Sequence, residues 1–390
     1  MPKQILPKRK KFIFHIILFL VPLFFITVVY IAYTMHRTTS LYLYVKSKQH
    51  GWKGKVHKAD QELGLAPIPN SCGAETLPVG DDIPMRYDKD GFRVPMENNN
   101  DSENAYPVLL TLGCSFTYGA ATYAKDTYPY LAGKYLGGST KNAGVCSYGL
   151  SQMVIIAKRL IPRHKPDYVI AQYSTWLVDR AAIPFAPSYF FCKLPQPYFV
   201  EEGDMLAIQP PVFKTNIMEL PIDEYRNPKK DFLDFISFFW NVSLPLFLHD
   251  DLHMSAYILA KAFHLKPEPA KNCDKVIKYV YEEIVRVAED NGAKVIIVIL
   301  GNNHQPVQIR NDLFPEKAIL VDAHSALLKR LPVVNEQNYL RQYAHWRGDP
   351  PILVDIHPNE KAHKIIAEEI VEQIKQNFGA QLNKSMQPNR

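Results

Sequence analysis

The sequence predicts a three-layer α/β domain, with a mainly parallel sheet covered by helices on both faces, carried on one N-terminal apolar helix and broken by one long insertion. Three observations carry this expectation. From Tyr106 onward, short apolar runs alternate with helical stretches, the pattern of strands buried on both sides. Residues 12–35, "FIFHIILFLVPLFFITVVYIAYTM", contain no formal charge. Between Ser174 and Lys271 the alternation stops, and a stretch rich in Pro, Phe and Tyr takes its place.

Composition narrows the possibilities. The 390 residues, 47% hydrophobic and 12% aromatic, suffice for a sizeable packed core. The net charge of +6 is local, because Lys3, Lys8, Arg9, Lys10 and Lys11 supply five of those charges and leave about +1 for the rest. A general polyanion-binding surface, and with it nucleic acid, is therefore not expected.

Taken in order, residues 1–11 read as a basic tail and 12–35 as a transmembrane helix, roughly 36 Å long at ~1.5 Å per residue. Pro22 is tolerable in such a span. No small-x-small exit follows it, so an uncleaved signal-anchor is expected. The cations crowd the N-terminal flank, which predicts a cytoplasmic N-terminus and the rest of the chain on the outer face, periplasmic or extracellular. Residues 36–83, punctuated by Gly and Pro, read as a stalk, and 84–390 as the α/β domain.

Within that domain, "MRYDKDGFRVP" has the composition of a tight hairpin. Pro107 to Leu112 reads as a strand, and Thr127 to Leu136 as a helix with Asp126 able to cap it. Leu150 to Ile161 reads as an amphipathic helix, "PDYVIAQYS" as a buried strand, and Asp274 to Asn291 as a helix closed by Gly292. "AKVIIVIL" and Ala318 to Val321 read as strands, and Pro358 to Gln376 as the last helix. The insertion, 175–270, is expected to pack over the ligand cleft. The other reading of its apolar core, "FLDFISFFWNVSLPLFLHDDL", is a surface that dips into the outer leaflet or docks on a membrane partner.

In a parallel sheet the ligand site lies at the carboxyl ends of the strands, and Ser115 falls at such an end. Gly113 spares the turn a Cβ clash, and neighbouring N–H groups can face a developing oxyanion. A serine hydroxyl needs a base. The candidate is His357 in "VDIHPNEKAHKIIAEEI", with Asp355 able to hold its imidazole in the required tautomer. Pro358 suits the first turn of the final helix, so both would leave one loop beside the sheet's carboxyl edge. Cys114 is a rival nucleophile, but adjacent side chains diverge in a sharp strand-to-helix turn and only one of them can enter the cleft. Five cysteines, without metal-ligand spacing, leave at least one thiol unpaired in a monomer; a Cys114–Cys146 disulfide is conceivable, and two buried thiols are favoured. No metal or cofactor is required.

The blocks "GCSFTYG", "NAGVCSYGLSQ" and "VDIHPN", with "YDKDGFRVP" and "KPDYVIAQYS", resemble the SGNH (GDSL-type) serine hydrolase superfamily, in a membrane-anchored branch. The resemblance implies a flavodoxin-like sheet and a Ser115, His357, Asp355 triad acting through an acyl-enzyme. It also implies an oxyanion hole that includes the N–H of Ser147, where the family places glycine, with Gly144 letting the loop adjust. Cys114 stands where the family usually has Asp, and Asp355 precedes His357 by two residues rather than three. The third-block Asn is absent; Ser174 and Thr175 occupy that stretch as candidate substitutes, with Asn302 and Asn303 as more distant ones. Asp179 and Arg180 read as an ion pair anchoring the insertion or as a substrate contact, and His304, His324 and His363 as packed or surface histidines.

The resemblance implies a membrane-anchored ester hydrolase or O-acyltransferase acting on acyl esters of envelope glycans or lipids. The alternative is a catalytically weak or inactive module that binds a glycan or a membrane acyltransferase partner.

Overall fold

The computed structural model of the chain describes residues 8–46, 51–97, 105–189, 192–225 and 231–385. Helix α1 (Lys8–Lys46) is 39 residues long, about 58 Å at 1.5 Å per residue. Its most apolar window is entirely unburied. Leu41, Tyr42 and Val45, near its other end, are buried among residues of the domain. The anchor candidate thus runs straight into the fold.

The stretch expected as a stalk is folded. It holds β1 (Gly51–Lys53), β2 (His57–Asp60), β3 (Gly64–Pro67), β4 (Cys72–Thr76) and β5 (Ile83–Tyr87). β2 and β3 form a hairpin. β1, β4, β5 and β6 (Arg93–Val94) form an antiparallel wing that joins the main sheet where Arg93 pairs with Asn142. The glycines and prolines that read as linker lie in and between short strands. Ile83, Met85 and Tyr87 are buried at every second position, the period of a strand with one covered face. The turn at Asp88–Gly91 forms as expected: Gly91 has φ +84°, and Asp88 Oδ1 accepts from the N–H groups of Asp90 and Phe92.

From there the alternation read in the sequence is realised. β7 (Val108–Leu112) leads through α2 (Ser115–Tyr118) and α3 (Tyr128–Leu136) to β8 (Ser139–Asn142). α4 (Leu150–His164), β9 (Tyr168–Tyr173) and α5 (Thr175–Ala181) follow. Asp126 does not cap α3, whose N-cap position is Thr127 and whose first turn contains Pro129.

The insertion carries two hairpins, β10 (Phe185–Tyr189) with β11 (Cys192–Pro195) and β12 (Tyr198–Glu202) with β13 (Met205–Gln209). After them, helix α6 runs through residues 231–262, with π-helical turns at Phe239–Ser243 and Phe247–Asp251 on either side of Pro245. α5, expected within the insertion, packs instead with the core helices α4 and Cys273–Asp290.

β14 (Lys294–Ile299) and β15 (Ile319–Val321) complete the parallel part, and β16 (His345–Arg347) with β17 (Ile352–Asp355) forms a hairpin before the last helix, Glu360–Ser385. The nine-stranded sheet has the order β1-β4-β5-β6-β8-β7-β9-β14-β15. Its five parallel strands run in the order second, first, third, fourth, fifth, which is the flavodoxin-like winding. Every residue of β9 is buried, as a central strand covered on both faces requires. α3 and Glu360–Ser385 pack together over one side; α4, α5 and Cys273–Asp290 pack over the other.

Candidate active site

The strand order reverses beside β7, and a doubly wound sheet opens its ligand crevice at that point. Ser115 stands there as the first residue of α2, after Cys114 in extended conformation. Its Oγ lies 2.8 Å from His357 Nε2, and His357 Nδ1 lies 2.7 Å from Asp355 Oδ1. The same carboxylate oxygen accepts the His357 backbone N–H at 2.6 Å, which fixes the loop and the ring together. Two segments 242 residues apart therefore meet in one hydrogen-bonded chain. Gly113 is required by space, since a Cβ there would come within 2.0 Å of Thr117 Oγ1 and 2.5 Å of Gln172 Oε1.

Around these three residues stands a set of buried polar groups that the sequence reading did not single out. Gln172 on β9 accepts from the Cys114 N–H at 3.1 Å and from Thr117 Oγ1 at 2.8 Å through one oxygen. Its amide nitrogen donates to Ser174 Oγ at 2.9 Å. Arg93, with no exposed surface, donates to the carbonyls of Tyr118, Gly119 and Thr122 at 2.5, 2.7 and 2.6 Å, and its guanidinium lies 4.0 Å from the centre of the Tyr118 ring. It thereby closes the far end of the nucleophile turn. Glu75, from the antiparallel wing, accepts the Ala121 N–H at 2.9 Å. His345 Nε2 and Thr122 Oγ1 both bond the Pro358 carbonyl, at 3.1 and 3.2 Å. Asn359 holds the carbonyls of Gln342 and Ala344 and accepts from the Ala362 N–H. The sequence signal for Arg93 and Gln172 was slight: one of three cations around the Asp88–Gly91 turn, and one amide inside a buried strand.

The expected oxyanion residues divide. Ser147 has φ +72°, at the third position of a turn closed by the Tyr148 N–H on the Val145 carbonyl. This left-handed conformation favours glycine, the residue that the resemblance implied there. The Ser147 N–H makes no backbone hydrogen bond among the described residues. The Gly144 N–H is bonded to Asn142 Oδ1 at 3.0 Å, and a Cβ on Gly144 would approach the Tyr118 nitrogen to 2.5 Å, so Gly144 serves the close packing of this loop on α2. Ser174 does not offer a hydroxyl to the cleft: it is fully buried and donates to the Leu300 carbonyl at 2.8 Å. Thr175 is exposed at the start of α5. Asn302 and Asn303 lie exposed on the loop after β14. Arg180 donates to the Tyr148 carbonyl at 3.0 Å, bracing the Ser147 turn from α5.

Electrostatics follow from this packing. Desolvation lowers the His357 pKa, but the charge and hydrogen bond of Asp355, with Glu75 behind them, outweigh it and the net shift is upward. Burial raises the Cys114 thiol, yet Arg180, the Phe116 N–H, and the side chains of Trp176 and Gln172 bring it below the ordinary value. Its sulfur lies 3.5 Å from Gln172 Oε1, on the core side of the turn, while Ser115 faces the imidazole. Cys146 is raised well above the usual range, by burial first and Glu75 second. Cys72, Cys114, Cys146 and Cys273 are free thiols. Phe116 stacks edge-on against His357 at 5.3 Å and meets Trp176 at 5.0 Å, giving the site an aromatic wall. His324 and His363 are packed in the core, and His304 bonds its neighbour Gln305.

No family model matches the sequence, and no curated protein matches it. Solved structures do. The chain is similar to a protein assigned to the G-D-S-L lipolytic family from Desulfitobacterium hafniense DCB-2, at 13% identity over 68% of this chain and 98% of that one, with a TM-score of 0.31. It is similar to LAE5, an alpha/beta hydrolase enzyme from the metagenome of Lake Arreo, Spain, at 14% identity over 69% and 95%, with a TM-score of 0.35. It is also similar to a family 2 carbohydrate esterase with a carbohydrate-binding domain from Myceliophthora fergusii, at 12% identity over 79% and 73%, with a TM-score of 0.34.

Proposed function

We propose that this chain is a membrane-anchored serine ester hydrolase or O-acyltransferase of the SGNH type. The observation that carries the reading is the continuous chain Ser115 Oγ, His357, Asp355, with both hydrogen bonds under 3 Å. Ser115 Oγ attacks the ester carbonyl carbon while its proton passes to His357 Nε2. Asp355 accepts from Nδ1–H and stabilises the imidazolium that forms. The backbone N–H groups of Ser115 and Ser147 receive the oxyanion. Collapse expels the alcohol, which takes its proton from Nε2 and leaves an acyl-enzyme. Water, or a sugar hydroxyl, then attacks with His357 as base. The substrates are acyl esters of envelope glycans or lipids, a class that follows from the resemblance together with α1 as an anchor holding the domain on the outer face.

Labelling by a fluorophosphonate probe tests the reading. Intact protein is expected to label at Ser115, and Ser115→Ala and His357→Ala to lose the label. A well-folded protein that does not label overturns it. Product formed only when an acceptor is present identifies a transferase. A reporter fused after Arg390 is expected to be active only outside the cytoplasm.

One observation favours the second reading, a weakly active or inactive module that binds a glycan or a membrane acyltransferase. With the Ser174 hydroxyl held by Leu300, neither residue expected to replace the third-block Asn offers a fixed side-chain donor. Loss of one such donor costs on the order of 100- to 1000-fold in rate.

A further inference from the structure

Helix α6, 231–262, is long and apolar enough over Phe232–Ala262 to span a membrane, with a mean hydropathy of 1.3 in its most apolar stretch, only 22% of which is buried. Its inner face is occupied. Phe238, Val242 and Leu246 share one buried cluster with Leu41, Tyr42 and Val45 of α1 and with Val145 and Tyr148, which flank the Ser147 turn. Some of its polar groups are held by neighbouring side chains, while His253 and Ser255 are exposed and bond only carbonyls of the helix itself. Asp250 bonds Thr215 and the Asn216 N–H, Asp251 pairs with Arg37, and Asn241 bonds Tyr225 and Ser237. Also facing outward are Leu233, Trp240, Leu248, Leu252 and Leu259, each half or more exposed. Their spacings of seven, eight, four and seven residues keep them on one stripe of the helix.

The depth of that stripe can be read from α1. Tyr30, five residues before the end of the uncharged run, meets the Phe247 ring at 5.1 Å, which puts Phe247 about 8 Å inside the apolar run at 1.5 Å per residue. Arg37, the first formal charge beyond the run, takes Asp251, at the level of lipid headgroups. Both halves of α6 touch the domain: Phe238 rests on Tyr225 at 5.1 Å, and Tyr257 on Phe185 at 5.3 Å. A helix held to the domain in both halves does not cross the bilayer, yet its middle lies level with the apolar run of α1.

We propose that α6 is an interfacial membrane helix, its outward stripe seated in the outer leaflet of the bilayer that α1 spans. The inference rests on the anchor reading of α1. Amphipathic helices of this kind bury their apolar face roughly 5–10 Å into the headgroup and acyl boundary, the depth that the Tyr30–Phe247 contact marks. α1 and α6 then form one membrane-seated platform. Because Val145 and Tyr148 belong to the same cluster, the oxyanion loop is held at a fixed height above the lipid, and the ester it receives is one presented at the membrane surface.

The test uses full-length protein in nanodiscs of phosphatidylcholine and phosphatidylglycerol, with and without acyl-chain bromination, and reads tryptophan emission. Subtracting Trp240→Phe isolates Trp240 from Trp52, Trp176 and Trp346. Phe24→Trp in the Trp240→Phe background reports α1 separately. Brominated lipid is expected to quench the emission of both the α1 reporter and Trp240 at least about twofold, as contact with acyl chains demands. Quenching of the α1 reporter with none at Trp240 overturns the inference and leaves the anchor standing, and it is the outcome that a protein partner or a second copy covering the stripe would give. Absence of quenching at both positions overturns the anchor reading and this inference together.

Discussion

Thr122 Oγ1 donates to the Pro358 carbonyl at 3.2 Å, tying the loop that follows the nucleophile to the residue that follows the base. The bond joins the two halves of the site without touching a reacting atom. Thr122→Val keeps the shape and removes the donor. The expected result is a fall in kcat of roughly 10- to 100-fold from misplacement of Ser115 and His357, with KM nearly unchanged, checked by steady-state kinetics on a chromogenic ester.

The pH profile follows from His357. Its reactive form is neutral, and Asp355 holds the pKa above the ordinary 6.5. Activity should therefore rise with pH along an acid limb whose midpoint lies above 6.5. In Asp355→Asn the carboxylate is gone, so the limb should move to lower pH while kcat falls on the order of 10³- to 10⁴-fold through loss of the correct tautomer. A limb that stays in place in the variant contradicts the assignment.

Arg93→Met removes the charged donor from three buried carbonyls, hydrogen bonds worth about 1.5–3 kcal/mol each, although Gly119 keeps the Thr122 N–H and Tyr118 keeps the Asn142 side-chain amide. Urea unfolding should show a loss of at least about 3 kcal/mol. Arg93→Lys, which can satisfy some of the three, should lie between the variant and the native protein.

Ser147 adopts φ +72°, a conformation that costs a residue bearing Cβ about 1–2 kcal/mol. Ser147→Gly relieves that strain, partly offset by the extra unfolded-state freedom of glycine, about 0.5–1 kcal/mol. Thermal unfolding should show equal or higher stability. Because the proposed oxyanion donor there is the backbone N–H, kcat/KM should stay within about threefold of the native value, whereas loss of an oxyanion donor costs on the order of 100-fold or more.

Four buried histidines contribute to the acid stability. Burial lowers His57 to about 3, His363 well below its usual value, and His324 and His345 below theirs. Each is neutral when folded and takes up a proton when unfolded, so the unfolded chain binds more protons below about pH 6.5. Stability should accordingly be full above that pH and fall steadily as pH drops from 6.5 towards 3, as measured by urea titration at stepped pH.

The hydropathy period carried most of the domain. The runs at Val108–Leu112, Tyr168–Tyr173 and Lys294–Ile299 are short, apolar and bounded by breakers, and a buried parallel strand leaves that local trace. The wing of β1, β4, β5 and β6 left less. Its strands run two to five residues, and glycines and prolines lie in and between them, so propensity favoured a linker until long-range pairing outweighed it. Ser174 misled for a related reason: its residue type suits an oxyanion donor, but its hydroxyl is spent on a carbonyl 126 residues away.

What the sequence determined by itself was the alternation of strand and helix, the apolar N-terminal helix, and the placing of Ser115 just after a strand's carboxyl end and of Asp355 and His357 just before the last helix, because these depend on residue type and near neighbours. The tertiary structure decided that the supposed stalk completes the sheet, that Arg93, Gln172 and Glu75 brace the nucleophile turn, and that α1 and α6 share one buried face. Those contacts join residues tens to hundreds of positions apart, and a buried polar group finds its partner only when the whole chain has removed both from water.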